Sequence, residues 1–235
     1  YAIPNRLEVT QKLLAALPFT LTRGQEEVIS AITADISSGH RMVRLLQGDV
    51  GSGKTIIAFA AMAQAAAAGY QSVFMAPTDL LARQHMETLL PLTEALRMPI
   101  ALLSGKIKKS ERDDVQQAIA EGKISAVIGT HAVFQDEVEF HDLALMVVDE
   151  QHRFGVAQRM QLSSKGRSPH ILQMTATPIP RSLTMALYGD MDISTLTERP
   201  PGRKEIDTRA IPVQRMDEVM NGLKRVIATG EKIYW

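Results

Sequence analysis

The residues with the clearest chemistry stand in one row: Gly48, Asp49, Val50, Gly51, Ser52, Gly53, Lys54 and Thr55. They fit G-x-x-x-x-G-K-[ST], a loop that binds phosphate. The glycines let the backbone wrap an anion with its N–H groups turned inward, and a following helix N-terminus adds a favourable dipole. Lys54 would reach the β- and γ-phosphates as a point charge. Thr55 would offer its hydroxyl to magnesium. A bare flexible glycine loop is the bland reading, and the flanking text argues against it. Residues 42–47 read as a buried strand and residues 56–65 as a helix.

A second acidic feature has matching chemistry. Asp149 and Glu150 close the apolar run 143–148. A carboxylate at the tip of a neighbouring strand can hold magnesium through its water shell. A second carboxylate beside it can orient and deprotonate an attacking water. Asp149 is assigned to the metal and Glu150 to the water. Two solvated acids at a strand end would be the bland reading, and the upstream phosphate loop weighs against it.

These groups need elements to position them. Residues 1–18 open with a short amphipathic helix, with Leu7, Leu13, Leu14 and Leu17 on its apolar side and Pro18 as its stop. Thr22 and Gln25 form a capping-box pattern for the next helix, which carries Val28, Ile29, Ile32 and Ile36 and ends near Gly39. Strands are expected at 72–76, 99–103, 125–128, 143–148 and 170–174, with helices at 79–96 and 108–121. The Ala-rich stretch 60–68 is read as structural, because alanine favours helix and permits close packing. Alternating strands and helices argue for an α/β fold, a parallel sheet with helices on both faces. In such sheets ligands sit beyond the carboxyl ends of strands, where each motif here falls.

A linker is expected over 198–204, then a strand at 206–211. A helix follows, faced by Met216, Val219, Met220, Leu223, Val226 and Ile227 and capped by Gly230. The expected organisation is a lead-in helix and linker over 1–18, a first domain over 19–198, and a linker with the start of a second domain over 199–235. Both ends read as cut, since the chain opens on Tyr1 and closes on what looks like an unfinished strand.

The 235 residues suffice for one large α/β domain or two small ones. Lys plus Arg and Asp plus Glu both number 26, so nucleic-acid binding would rest on local patches. Cysteine is absent, which removes disulfides and thiolate metal sites. No signal peptide is evident, and no apolar run reaches the ~20 residues of a membrane span.

Asp149-Glu150-Gln151-His152 is a D-E-x-H box, which resembles motif II of the superfamily 2 helicases. The text that follows it, 153–159, resembles the RecG family of bacterial branch-migration DNA helicases. So do 17–22 with Gln25, 75–82, 103–105, 129–135 and 175–181. The resemblance spans nearly the whole chain and its motifs are long and ordered.

The resemblance implies a RecA-like P-loop NTPase domain that uses ATP and Mg2+. Gln25 would contact adenine, while the residue pattern alone makes it a cap; both readings stand. Pro77, Thr78 and Arg83 resemble a motif on the DNA-facing side, as do Gly105, Thr130 and His131. Thr175, Ala176 and Thr177 resemble the motif that couples nucleotide state to DNA contact, and His152 would hydrogen-bond toward it. For His131 and His152 the bland reading is a satisfied loop histidine. Lys106, Lys108, Lys109 and Arg112 are either a solvated helix face or phosphate contacts. Arg153 and Arg159 either bind phosphate or pair with acids.

The implied activity is ATP hydrolysis coupled to movement on branched DNA, forks and Holliday junctions, in repair and recombination in the bacterial cytoplasm. The implied partners are that DNA and a second RecA-like domain of the same chain. Alone, these residues are expected to bind nucleotide weakly, hydrolyse it poorly and not unwind DNA. Two other classes remain open: a small-molecule kinase, and a nucleotide-dependent remodelling module that does not translocate.

Overall fold

Short runs of Val, Ile, Leu and Met bounded by glycines and polar turns make the strands, and a computed structural model shows how they assemble. It describes residues 1–105, 107–135, 137–149, 168–177, 191–198, 208 and 210–233. The chain divides into two compact units, Tyr1–Pro201 and Gly202–Trp235.

In the first unit α1 (Leu7–Ala16) and α2 (Arg23–Ser37) precede β1 (Val43–Gly48). Then come α3 (Lys54–Ala67), β2 (Gln71–Met75), α4 (Asp79–Ala95), β3 (Ile100–Leu103), α5 (Lys109–Ala120) and β4 (Ala126–Gly129). A 3-10 turn (His131–Phe134) leads to β5 (Leu143–Asp149), and β6 (His170–Thr175) and β7 (Asp192–Leu196) complete the described strands. The seven strands form one parallel sheet in the order β3-β4-β2-β5-β6-β1-β7. Every residue of β5 is buried, as the apolar run predicts for a strand covered on both faces.

Alternation along the strands feeds two cores. Phe74, Ile128, Val147 and Leu172 join the buried faces of α2, α3 and α4. Val73, Met75, Val127, Met146 and Val148 join Ile119 of α5, with Val133 and Val138. The expected α/β sheet with helices on both faces is therefore present. In α3 Ala58, Ala60, Ala61, Ala63 and Ala65 are buried, which lets the helix lie close to the sheet.

Residues 1–18, expected as a lead-in helix and linker, pack within the first unit. Ile3 is fully buried, and the buried Gln64 amide of α3 bonds the backbone N–H and carbonyl of Arg6 at 2.9 and 3.1 Å. The predicted apolar side of α1 needs correction: Leu13 is buried, Leu17 packs on the core, but Leu7 is 66% exposed and Leu14 is also exposed. Strand β7 is a further difference, because Asp192, Ser194 and Thr195 hide the strand signal. It is an edge strand paired on one side with β1, so it tolerates a polar sequence.

In the second unit α6 (Met216–Ala228) forms where the helical spacing predicts it, and Gly230 follows with φ +83°. Half of the expected strand 206–211 lies outside the described residues; Thr208, Ala210 and Ile211 carry no strand.

Candidate nucleotide site

Because the sheet is all parallel, every strand tip points to one edge. Gly48 ends β1 there and the phosphate loop follows. Gly51 and Gly53 adopt φ of +75° and +90°, a left-handed backbone open to glycine at little cost. Gly53 is the N-cap of α3. The loop therefore delivers its chain directly to a helix N-terminus, whose first N–H groups lack intrahelical partners. The Lys54 ammonium donates to the Gly48 and Asp49 carbonyls at 2.6 and 3.0 Å, which places its charge over the loop.

Gln25 braces this loop from outside. Its side chain is buried; Nε2 donates to the Ser52 carbonyl at 2.8 Å, and Oε1 accepts the Thr22 N–H at 2.9 Å. The Gln25 N–H donates to the Thr22 hydroxyl, so the expected capping box is complete. Gly24 donates its N–H to Glu198 at 3.1 Å, beyond the end of β7. That backbone bond holds the Glu198 pKa below the ordinary carboxylate range.

Asp149 ends β5, and its Oδ2 lies 3.0 Å from Nε2 of His85. Strand β6 lies between β1 and β5, with Gln47 beside Thr175 and Asp149 beside Met174. The Thr175 and Thr177 hydroxyls are 2.9 Å apart, and the Thr177 N–H donates to Thr175 Oγ1 at 3.1 Å. The coupling candidates Thr175, Ala176 and Thr177 thus form a tight turn between the phosphate strand and the acidic strand.

The remaining candidates occupy the other half of the same edge. Pro77 and Thr78 follow β2, Thr130 and His131 follow β4, and Gly105 follows β3. Thr78 caps α4 by accepting the Leu81 N–H at 3.3 Å. Arg83 is exposed and bonds Asp79 at 3.0 Å. Thr130 is buried, and His131 is exposed. Of the basic cluster, Lys108 and Lys109 are exposed at the start of α5, while Arg112 donates to Gln135. Glu150, His152, Arg153, Arg159 and Lys106 lie outside the described residues.

His85 escaped the sequence reading. Its partner is 64 residues away, so no local motif marks it. One signal was available: in α4 it sits between Ala82 and Leu89, both buried, at helical spacing. A titratable residue on a core-facing stripe asks for a partner.

The loop fits a nucleotide phosphate on grounds beyond its motif. Ser52 Oγ is buried without a protein hydrogen-bond partner, the kind of atom a phosphate oxygen satisfies. Thr55 and Asp149 are hard oxygen donors of the type magnesium takes. Among the described residues no group of three His, Cys, Asp or Glu could hold a metal alone. Magnesium usually takes one or two protein oxygens and fills its other positions with substrate phosphates and water. No helix among the described residues is long and apolar enough to cross a membrane.

Comparison with known proteins gives a consistent picture. The profile of the DEAD/DEAH box helicases matches residues 22–186. The chain is 45% identical over 227 residues to the ATP-dependent DNA helicase RecG of Bacillus subtilis, covering 97% of this chain and 33% of that protein. It is 48% identical over 219 residues to RecG of Streptococcus pneumoniae, covering 93% and 32%. The chain thus spans about a third of the length of these relatives. A solved structure of RecG bound to a three-way DNA junction superposes with a TM-score of 0.86 at 40% identity, covering 97% of this chain and 31% of that one. The sheet is that of a RecA-like domain, and the chain belongs to the DEAD/DEAH box helicase family.

Proposed function

We propose that this chain is the ATP-binding part of a DNA helicase that translocates on branched DNA, forks and Holliday junctions, as a bacterial cytoplasmic repair and recombination enzyme. One observation carries the reading: the order of the strand tips along the edge. From β1 inward come the phosphate loop, the Thr175 turn, Asp149, then Pro77 with Thr78, Thr130 and Gly105. Nucleotide groups occupy one half and the proposed DNA-facing groups the other, with the coupling turn inside the nucleotide half.

The roles follow from that order. The loop amides and Lys54 bind and orient the phosphates, and Gln25 braces the loop and offers the adenine contact. Thr55 and Asp149 would hold magnesium, which when bound supplies positive charge to the phosphate oxygens. Glu150 takes the proton of the attacking water and His152 links the acidic box to the Thr175 turn. Arg83, with the loops carrying Thr78, Thr130, His131 and Gly105, meets the DNA. The second RecA-like domain of the intact protein completes the cleft, so the 235 residues alone hydrolyse ATP poorly.

The test is ATP hydrolysis by the intact protein without DNA and with single-stranded, duplex and forked DNA, beside Lys54→Ala. Stimulation strongest with forked DNA, and lost in Lys54→Ala, is the expected result. Hydrolysis indifferent to every DNA would replace this reading with a remodelling module or a kinase.

A further inference from the structure

We propose that His85 is a positioning residue for Asp149, orienting that carboxylate for the magnesium ion of the bound nucleotide. The proposal rests on the nucleotide reading above and adds to it a residue outside every motif.

The geometry is specific. His85 Nε2 and Asp149 Oδ2 are 3.0 Å apart, and only 14% and 12% of the two side chains is exposed. An ionised carboxylate only accepts, so the proton of this bond sits on Nε2. The ring is held from a second direction by Phe74 of β2, with ring centroids 4.6 Å apart. Phe74 is fully buried and pairs with Val147, two residues before Asp149. The histidine therefore has its ring packed against β2 and its Nε2 directed at the end of β5. Fixing one carboxylate oxygen restricts rotation of the group and gives the other a defined direction. Hydrogen-bond partners of a ligating carboxylate commonly set metal affinity by about 10–100-fold.

The helix that supplies His85 also carries Arg83 and is capped at its start by Thr78. A displacement of α4 at its DNA-facing start would thus be transmitted to the metal-holding carboxylate through one hydrogen bond.

The experiment is binding of fluorescent ADP to the intact protein across a magnesium titration, for the unaltered protein, His85→Ala, His85→Gln and Lys54→Ala. Thermal melting without ligand is recorded for each. His85→Ala is expected to bind ADP normally without magnesium and to need about tenfold more magnesium for its effect. His85→Gln, which can place an amide N–H where Nε2–H stood, is expected to restore the magnesium requirement. An unchanged magnesium requirement in His85→Ala, or equal weakening with and without the ion, overturns the positioning role and leaves the nucleotide site intact. Failure of the unaltered protein to bind ADP, or binding indifferent to Lys54→Ala, overturns the nucleotide reading and this proposal with it.

Discussion

Gln25 reaches the phosphate loop through one bond, from its Nε2 to the Ser52 carbonyl oxygen at 2.8 Å. Its other amide atom closes the capping box with Thr22. One side chain thus joins the start of α2 to the loop before α3. Thr22→Ala removes the hydroxyl half of the cap and leaves the bond to Ser52. Gln25→Ala keeps that hydroxyl bond, whose donor is a backbone N–H, and removes both the amide half of the cap and the bond to Ser52. Each is expected to lower stability by about 1 kcal/mol, a shift of roughly 2–4 °C in a chain this size. Only Gln25→Ala is expected to weaken nucleotide binding as well. Calorimetric titration with ADP beside thermal melting separates the two.

Gly53 has a stricter requirement. Its φ is +90°, and an added Cβ would sit 2.3 Å from Nε2 of Gln25. Gly53→Ala is expected to cost about 1–3 kcal/mol for the backbone alone, and to displace Gln25. Nucleotide affinity should fall about tenfold or more, equivalent to about 1.4 kcal/mol. Wild-type affinity in this variant would show that the loop can re-form around an alanine.

His170 is expected to make the fold acid-sensitive. The ring is fully buried, and Nδ1 accepts the Met42 N–H at 3.0 Å. Charging the ring would put a proton where that donor already points. Burial pushes the pKa down from 6.5 to about 4. The folded value lies below the unfolded one, so the unfolded chain binds the extra proton. The neutral ring's contribution is full above about pH 6.5 and is lost as pH falls toward 4. Its limit is about 3 kcal/mol. His170→Asn, which keeps an acceptor for Met42, should flatten stability between pH 7 and 4 in urea denaturation. The same slope in the variant would assign the acid sensitivity to other groups.

The docking of α1 can be tested by contrast along one helix. Leu13→Ala empties a buried position and is expected to cost about 2–5 kcal/mol. Leu7→Ala alters an exposed side chain and should stay within about 0.5 kcal/mol. Urea unfolding of the pair reads the difference. Equal effects would mean that α1 contributes no buried face of its own.

Much of this protein was legible in its residues, because the informative features are local. The loop Gly48–Thr55, its flanking strand and helix, and the Thr22–Gln25 box depend on backbone conformation and near neighbours. The apolar run of β5 reads as a strand covered on both faces, and every one of its residues is buried. Helix faces such as Val28, Ile29, Ile32 and Ile36 follow from spacing alone and are buried as expected.

Tertiary structure decided what depends on partners far along the chain. The polar strand β7 exists because β1 offers it an edge, which no pattern in Asp192–Leu196 announces. Leu13 is buried and Leu7 exposed because α3 and α4 reach only part of α1's apolar side. The strand order brings Thr175 between Gln47 and the Asp149 strand, a neighbourhood set by crossovers rather than by spacing. His85 meets Asp149 only once β2, α4 and β5 are packed together. Local chemistry is written into short stretches, whereas a contact between distant residues is chosen by the free energy of the whole packed sheet.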